Sequence, residues 1–262
     1  MKIEAVTVCV NYADFLAHTI VWNKPCFDRW VIVTDSEDQR TRDICEHHHV
    51  ECVTTDSFYS GDRAFAKACG INFGLSHLQG DGWFAHLDAD IVLPPRARQL
   101  IEQTKPDPRT IYGVDRVMCY SYEDWARYQS WPEVQHSCNL FVQATDFELG
   151  TRVGHLDEDG WAPIGFFQLW HPSGSGHAAY PDQGNGDRSD LKFARNWPRE
   201  HRGMIPEVVA IHLDSEKRET MGGNWRGRKT KHFGPKPLPR PLPPVGDHKH
   251  IHHHHHHYGE EE

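Results

Sequence analysis

No CxxC pair occurs in this 262-residue chain: its seven cysteines (Cys9, Cys26, Cys45, Cys52, Cys69, Cys119 and Cys138) are odd in number and scattered. That usage points to a reduced, cytosolic compartment rather than a disulfide framework. No apolar run approaches the roughly 20 residues a membrane span needs. The opening MKIEAVTVCV lacks the layout of a secretory leader, so a cytoplasmic protein without a membrane partner is expected. Positive charge is in deficit, with 28 Lys and Arg against 37 Asp and Glu and a formal net charge of −9. This argues against a protein that coats nucleic acid over its whole surface. There is no internal repeat. What remains is a chain with 38% hydrophobic residues, 11% aromatics and nine Trp, enough for a sizeable core and too apolar for wholesale disorder. Its length suits one large α/β domain or two small ones. Six consecutive histidines, His252 to His257, precede Tyr-Gly-Glu-Glu-Glu. They look like an affinity tag or a native metal-binding tail and are set aside from fold reasoning.

The first 90 residues alternate apolar runs with helical patterns. Ala5–Val10, Trp30–Thr34, Val50–Thr54 and Trp83–Leu87 read as strands. Between them lie a helix from Asp14 to Val21, a helix from Ser36 to about His48 with Gln39 at capping-box spacing, and a helix from Arg63 to Leu78 with Ala64, Ala68, Ile71, Leu75 and Leu78 on one face. This order predicts a mostly parallel sheet with helices on both faces, binding ligands at the carboxyl ends of its strands. Asn11 and Tyr12, Asp35, and Asp88 with Asp90 fall at such ends. The second half is less regular. Ile111–Met118, Asn139–Gln143, Phe166–Trp170 and Val208–Leu213 read as strands and Ser189–Asn196 as a helix, while the Gly- and Pro-rich stretch from His171 to Gly186 is a loop long enough to carry function. From Gly222 the chain turns basic, then proline-rich, without core-building residues.

Asp88-Ala89-Asp90 closes an apolar strand. Residues two apart on an extended segment face the same way, so both carboxylates can reach one cation or ligand. Mg²⁺ and Mn²⁺ prefer oxygen donors and often take one or two carboxylates, the rest coming from phosphate and water. A solvated surface turn explains the tripeptide equally well when it is taken alone.

The ordered set VCVNY, VTD, FAKACGIN and WFAHLDADIVLPP resembles the GT-A fold glycosyltransferases, the nucleotide-sugar enzymes of the family-2-like and galactosyltransferase-like kind. The resemblance covers about the first 95 residues. Phe65 to Asn72 is similar to the family's FNKGxAxN segment, with Ala66 in place of the usual Asn. The resemblance implies a Rossmann-like GT-A fold, with a nucleotide-sugar half over about 1–95, an acceptor half over about 96–234, and a tail over 235–262. It further implies that Tyr12, beside Asn11, stacks on a uracil ring, that Asp35 holds the base or ribose, and that Lys67 and Arg63 lie near the base or diphosphate. Asp88 would contact ribose or the metal, and Asp90 would bind the metal. Core packing for Tyr12, a helix cap for Asp35 and a solvated position for Lys67 are the structural alternatives.

Gly184-Asn185-Gly186-Asp187-Arg188-Ser189-Asp190-Leu191 is similar to the family's G-G-E-D-x-D-L segment, in which an acid at a helix start deprotonates the acceptor hydroxyl in inverting members. Asp187 and Asp190 are both candidates here, against a plain helix cap by Asp187 or Ser189. His212, alone in the apolar strand Val208–Leu213, would complete the metal site in such a fold, since imidazole beside carboxylates suits Mn²⁺. In the basic stretch Trp225 to Lys231, Arg226, Arg228, Lys229 or Lys231 would close on a diphosphate. A solvated tail and contact with a polyanion such as DNA are the rival readings. His47 to His49 with Cys45 and Cys52 reads as surface rather than a zinc site, and the aromatic stretch Trp161 to Trp170 as pocket lining or core.

The sequence is thus read as a glycosyltransferase using Mn²⁺ or Mg²⁺ and a UDP-sugar, inverting if the acidic base is real. Its acceptor is a glycan, a small molecule or a hydroxymethylated DNA base. A nucleotidyltransferase would want a Gly-rich basic loop where Asn11-Tyr12-Ala13-Asp14 stands. A non-catalytic nucleotide- or glycan-binding protein is the rival from another class.

Overall fold

A computed structural model describes residues 1–130, 156–157, 160–175, 179–182, 184–216, 224 and 226–236. The expected strand Asn139–Gln143, His177, Trp225 and the tail from 237 onward lie outside these. Eight strands form one sheet in the order β3-β2-β1-β4-β9-β6-β10-β5. Here β1 is Ile3–Val8, β2 Arg29–Thr34, β3 Glu51–Thr54, β4 Trp83–Leu87, β5 Ile91–Val92, β6 Ile111–Cys119, β9 Phe167–Trp170 and β10 Arg202–Leu213. A separate two-residue pair, β7 (Leu156–Asp157) and β8 (Gly160–Trp161), pairs antiparallel. In the main sheet only β9 and β5 run against the rest, so the fold is the expected α/β, mostly parallel arrangement. Strands β1 and β2 are buried almost throughout, which is why they read as continuous apolar runs rather than alternating ones. Among the described residues no helix is long and apolar enough to cross a membrane.

The helices depart from the sequence expectation where long-range contacts intervene. Helix α1 runs Ala13–Asn23 with Tyr12 at its N-cap, and Asp14 is not its cap. Helix α2 runs Gln39–His47 and is capped by Asp38, not Ser36: the Asp38 carboxylate accepts from the Thr41 N–H at 3.1 Å. The same buried carboxylate accepts from the Asn11 N–H at 2.7 Å, so it also fastens the turn that leaves β1, where Asn11 is left-handed at φ 55°.

Helix α3 covers Lys67–Leu75 only. Its expected first turn is pulled away because the N–H groups of Ala64 and Phe65 donate to Gly184 O, and that of Ala66 to Phe58 O. Once formed, α3 lies close on β1 and β2. A Cβ on Gly70 would come within 2.4 Å of Phe58, and one on Gly74 within 2.5 Å of Val6. That close approach sets the start of α3, and with it Lys67, above the end of β4.

Helices α4 (Ala97–Gln103), α5 (Tyr122–Gln129) and α6 (Ser189–Ala194) complete the frame. Strand β10 begins six residues earlier than the apolar run Val208–Leu213 suggests, and its pairing with β6 shifts register between Met204 and Val209. Cys45 is buried in the core rather than at the surface. The 224–236 segment is not purely a tail: Phe233 is buried, with its ring 4.7 Å from that of Phe15.

Candidate active site

The carboxyl ends of β1, β4, β6 and β10 open onto one cavity of about 680 Å³, a size usual for small-molecule sites. The antiparallel β9 enters the sheet from this same edge, so Ile164, Gly165 and Phe166 line the cavity beside the outgoing ends of its neighbours. Side chains two apart along each strand share the inward face: His86 and Asp88, Arg116 with Met118 and Tyr120, and His212 with Asp214.

The Asp88-Ala89-Asp90 turn is shaped from beneath by α1. Thr19 donates to Ala89 O at 2.8 Å, and Asn23 donates to Ile91 O at 2.7 Å while accepting from the Leu93 N–H at 2.9 Å. Polar residues on a buried helix face thus satisfy the backbone of a tight turn that no sheet partner could serve. The Leu213 N–H donates to Asp90 O at 2.9 Å, which stitches the turn to the end of β10. His212 Nε2 therefore stands 3.3 Å from Asp90 Oδ2.

The two aspartates are in different hands. Asp88 is bonded to Lys67, with Nζ 2.6 Å from Oδ1. Burial raises its pKa beyond what Lys67 takes back. Burial also opposes Asp90, but His212, Lys67 and Arg116 more than offset it and hold that carboxyl below its usual range. The surroundings thus favour the charged form of Asp90 more than that of Asp88. Its Oδ1 and the Nδ1 of His212 are buried with no hydrogen-bond partner among the described residues, so both retain capacity for a ligand. No group of three His, Cys, Asp or Glu is placed to hold a metal ion among the described residues, and Asp88 is paired with Lys67. The expected trio is therefore assembled as a pair, Asp90 with His212. One carboxylate and one imidazole fit a cation that draws its remaining donors from phosphate and water.

On the facing side, Asp190 is anchored by the Gly165 N–H at 2.5 Å. A Cβ on Gly165 would lie 2.6 Å from Asp190 Cβ, so only glycine lets the carboxylate sit there. Gln168, buried in β9, donates to Asp190 O at 3.1 Å and to Pro163 O at 2.8 Å, locking α6 to the sheet. Neither Asp187 nor Ser189 caps α6. That position belongs to Arg188 in the left-handed conformation, with no side-chain cap. Asp187 stands at the cavity mouth, its side chain 42% exposed.

Of the other expected site residues, Tyr12 and Arg228 line the cavity, while Asn11, Asp35, Arg63 and Lys231 do not. Asp35 accepts from the Glu37 N–H, Arg63 pairs with Asp182 at 2.6 Å, and Lys231 pairs with Glu216 at 2.6 Å. Tyr12 stacks on Phe15 at 4.6 Å, and the Arg228 guanidinium lies 4.9 Å from its ring centroid. Arg228 spends all five donors within the chain, on Asp14 Oδ1 and Oδ2 and on the carbonyls of Asn11, Thr230 and Lys231. In this arrangement it fastens the 224–236 segment to α1 and has no N–H free for a diphosphate.

Among the cavity residues that escaped the sequence reading, two stand out. His86 is fully buried, with Nε2 3.6 Å from Asp88 Oδ1, and burial drives its pKa well below normal, so it is neutral. Its place two residues before Asp88 on the same strand face was the available signal. Arg116 is buried beneath the centre of the cavity. An Asp115-Arg116 pair of charged residues inside a largely apolar strand was the signal there.

Residues 5–162 match the model of glycosyl transferase family 2. The chain belongs to that family. It is a glycosyltransferase, and the match covers the D-x-D turn but stops before α6 and His212. No curated protein matches the chain. Among solved structures, this family-2 transferase is similar to glucosyl-3-phosphoglycerate synthase from Mycobacterium tuberculosis, with 9% identity and a TM-score of 0.50 over 84% of this chain and 72% of that one. It is also similar to mannosyl-3-phosphoglycerate synthase from Rubrobacter xylanophilus, with 16% identity and a TM-score of 0.45 over 84% and 68%.

Proposed function

We propose that this transferase moves a sugar from a nucleotide diphosphate, a UDP-sugar, to an acceptor hydroxyl, with a divalent cation held by Asp90 and His212. The observation that carries this reading is the convergence of Asp90, His212, Asp88–Lys67 and Asp190 on one cavity at the strand ends, with donor atoms of Asp90 and His212 left unpartnered. The M. tuberculosis enzyme of similar fold was solved with Mn²⁺ and UDP, which suits the same assignment.

Manganese or magnesium held at Asp90 and His212 would neutralise the charge that grows on the departing diphosphate. Lys67, above the same turn, adds a second positive charge. Asp190 is the better placed of the two candidate bases. With one oxygen fixed by Gly165, its carboxylate is pre-aimed to take the acceptor proton. The acceptor oxygen then bonds to the anomeric carbon as the bond to the diphosphate breaks, and the electron pair leaves with the nucleoside diphosphate. Displacement from the opposite face makes the reaction inverting.

Hydrolysis of a UDP-sugar panel with Mn²⁺ and with EDTA, on wild type and Asp90→Ala, tests the reading. Release of UDP that needs the metal and is lost in the variant is expected. If no nucleotide sugar is cleaved, and UDP, GDP and CDP with Mn²⁺ leave the melting temperature unmoved, the reading fails.

A further inference from the structure

Arg116 is the cationic residue in the cavity wall that the transfer reaction as described leaves unused. It is 8% exposed, its guanidinium rests 4.5 Å from the centroid of the Phe166 ring, and its Nε is buried without a hydrogen-bond partner. The other strong cations around the cavity are committed: Lys67 to Asp88, Arg228 to Asp14, and Arg188 near Asp187 at 4.0 Å. The Arg116 side chain instead makes no hydrogen bond among the described residues, although Asp88, Asp90 and Asp190 all act on it through space. Those carboxylates offset its charge without using its donors. A planar, five-donor fork kept buried and unspent is suited to a ligand with paired acceptor oxygens, a carboxylate or a phosphate.

Its position says which substrate that is. Arg116 lies on β6, two strands from β4 and three from β1, or about 10 Å and about 14 Å across the sheet. Val8 closes β1 and Val10 and Tyr12 follow it, and these line the side proposed for the nucleotide. The proposed base Asp190 lies between, close enough to act on Arg116. An acceptor with its hydroxyl at Asp190 therefore brings its far end to β6.

We propose that Arg116 recognises an anionic group, carboxylate or phosphate, on a small acceptor; this rests on the transferase reading above and makes Arg116 a binding residue that selects the acceptor. It narrows the acceptor class to small hydroxy acids or phosphorylated polyols and sugars.

The test is the ratio of kcat/KM for charged over neutral acceptors, measured with the donor found in the hydrolysis panel. Glycerate and glycerol 3-phosphate are compared with glycerol, and glucuronate and glucose 6-phosphate with glucose. Wild type is expected to favour a charged member at least 100-fold, with the carboxylate and phosphate arms showing which anion it is. In Arg116→Gln that ratio should fall to near one, mainly through the acceptor KM, and Arg116→Lys, which keeps charge without the fork, should fall between. Melting curves on both variants identify any that fails to fold, and the lysine variant then carries the comparison. A wild-type ratio near one overturns the proposal. So does an equal loss on charged and neutral acceptors in the variants, which would put Arg116 on the donor diphosphate. If wild type cleaves no nucleotide sugar and UDP, GDP and CDP with Mn²⁺ leave its melting temperature unmoved, the transferase reading itself has failed and this inference falls with it.

Discussion

Arg228 and Arg116 stand at opposite walls of one cavity and are treated in opposite ways. On the β1 side, Arg228 has both carboxylate oxygens of Asp14 and three carbonyls around it. On the β6 side, the Arg116 side chain has an aromatic face and no hydrogen bond among the described residues. A saturated arginine on a buried carboxylate does structural work, because removing it strands its partner. An unsaturated one adds little to the fold and holds its donors in reserve. Two residues of the same type, both near the strand ends, are thus distinguished by counting donors rather than by charge.

The largest effect should come from the ground between them. Asp90→Ala is expected to lower metal-dependent donor turnover by about 10³-fold or more, on the order of 4 kcal/mol in transition-state stabilisation, as measured by UDP release. Asp190→Asn should follow, with kcat for transfer down by about 10²-fold or more while nucleotide affinity is kept. An equal loss in Asp187→Asn, with Asp190→Asn near normal, would move the base to the cavity mouth. For the arginines, Arg228→Ala should destabilise the fold by about 3 kcal/mol, since it leaves the buried Asp14 carboxylate without its guanidinium partner. Arg116→Met should be neutral or slightly stabilising, by about 1 kcal/mol or less. Denaturant titration of the two variants reads the contrast directly, and similar losses in both would break it.

The smallest effect is in pH. Burial opposes the Asp14 carboxylate, but Arg228 and the Phe233 N–H outweigh it and hold its pKa below the ordinary 3.8. Folding stability from this group is present above about pH 4 and is lost as the pH falls through the lower folded value. The melting temperature of wild type should therefore drop more steeply on acidification than that of Arg228→Ala. Parallel acid limbs would mean that the ion pair contributes nothing.

Much of the frame was legible because its causes are local. Apolar runs mark β1, β2 and β4, rich in β-branched residues in the first two, and the acids that follow β4 announce a ligand edge. His212 stood out as the one imidazole in its strand. The errors all have long-range causes. Ser36 has a cap's spacing, yet Asp38 wins because the same carboxylate also serves Asn11 across the turn from β1. The helical pattern from Arg63 is genuine, yet its first turn is held off by Gly184, more than a hundred residues later. Phe233 read as tail because nothing near it in sequence is apolar, and its partner is Phe15.

Period and composition by themselves decided the α/β class, the order of the first four strands, and the presence of paired carboxylates at a strand end. Each depends on neighbours a few residues apart, whose geometry the backbone imposes. Only the tertiary structure decided which carboxylate is free, which arginine is spent, and that Asp90 meets His212 while Asp88 meets Lys67. Those outcomes depend on which groups share a small, water-poor volume, where a donor already bonded is lost to every other partner.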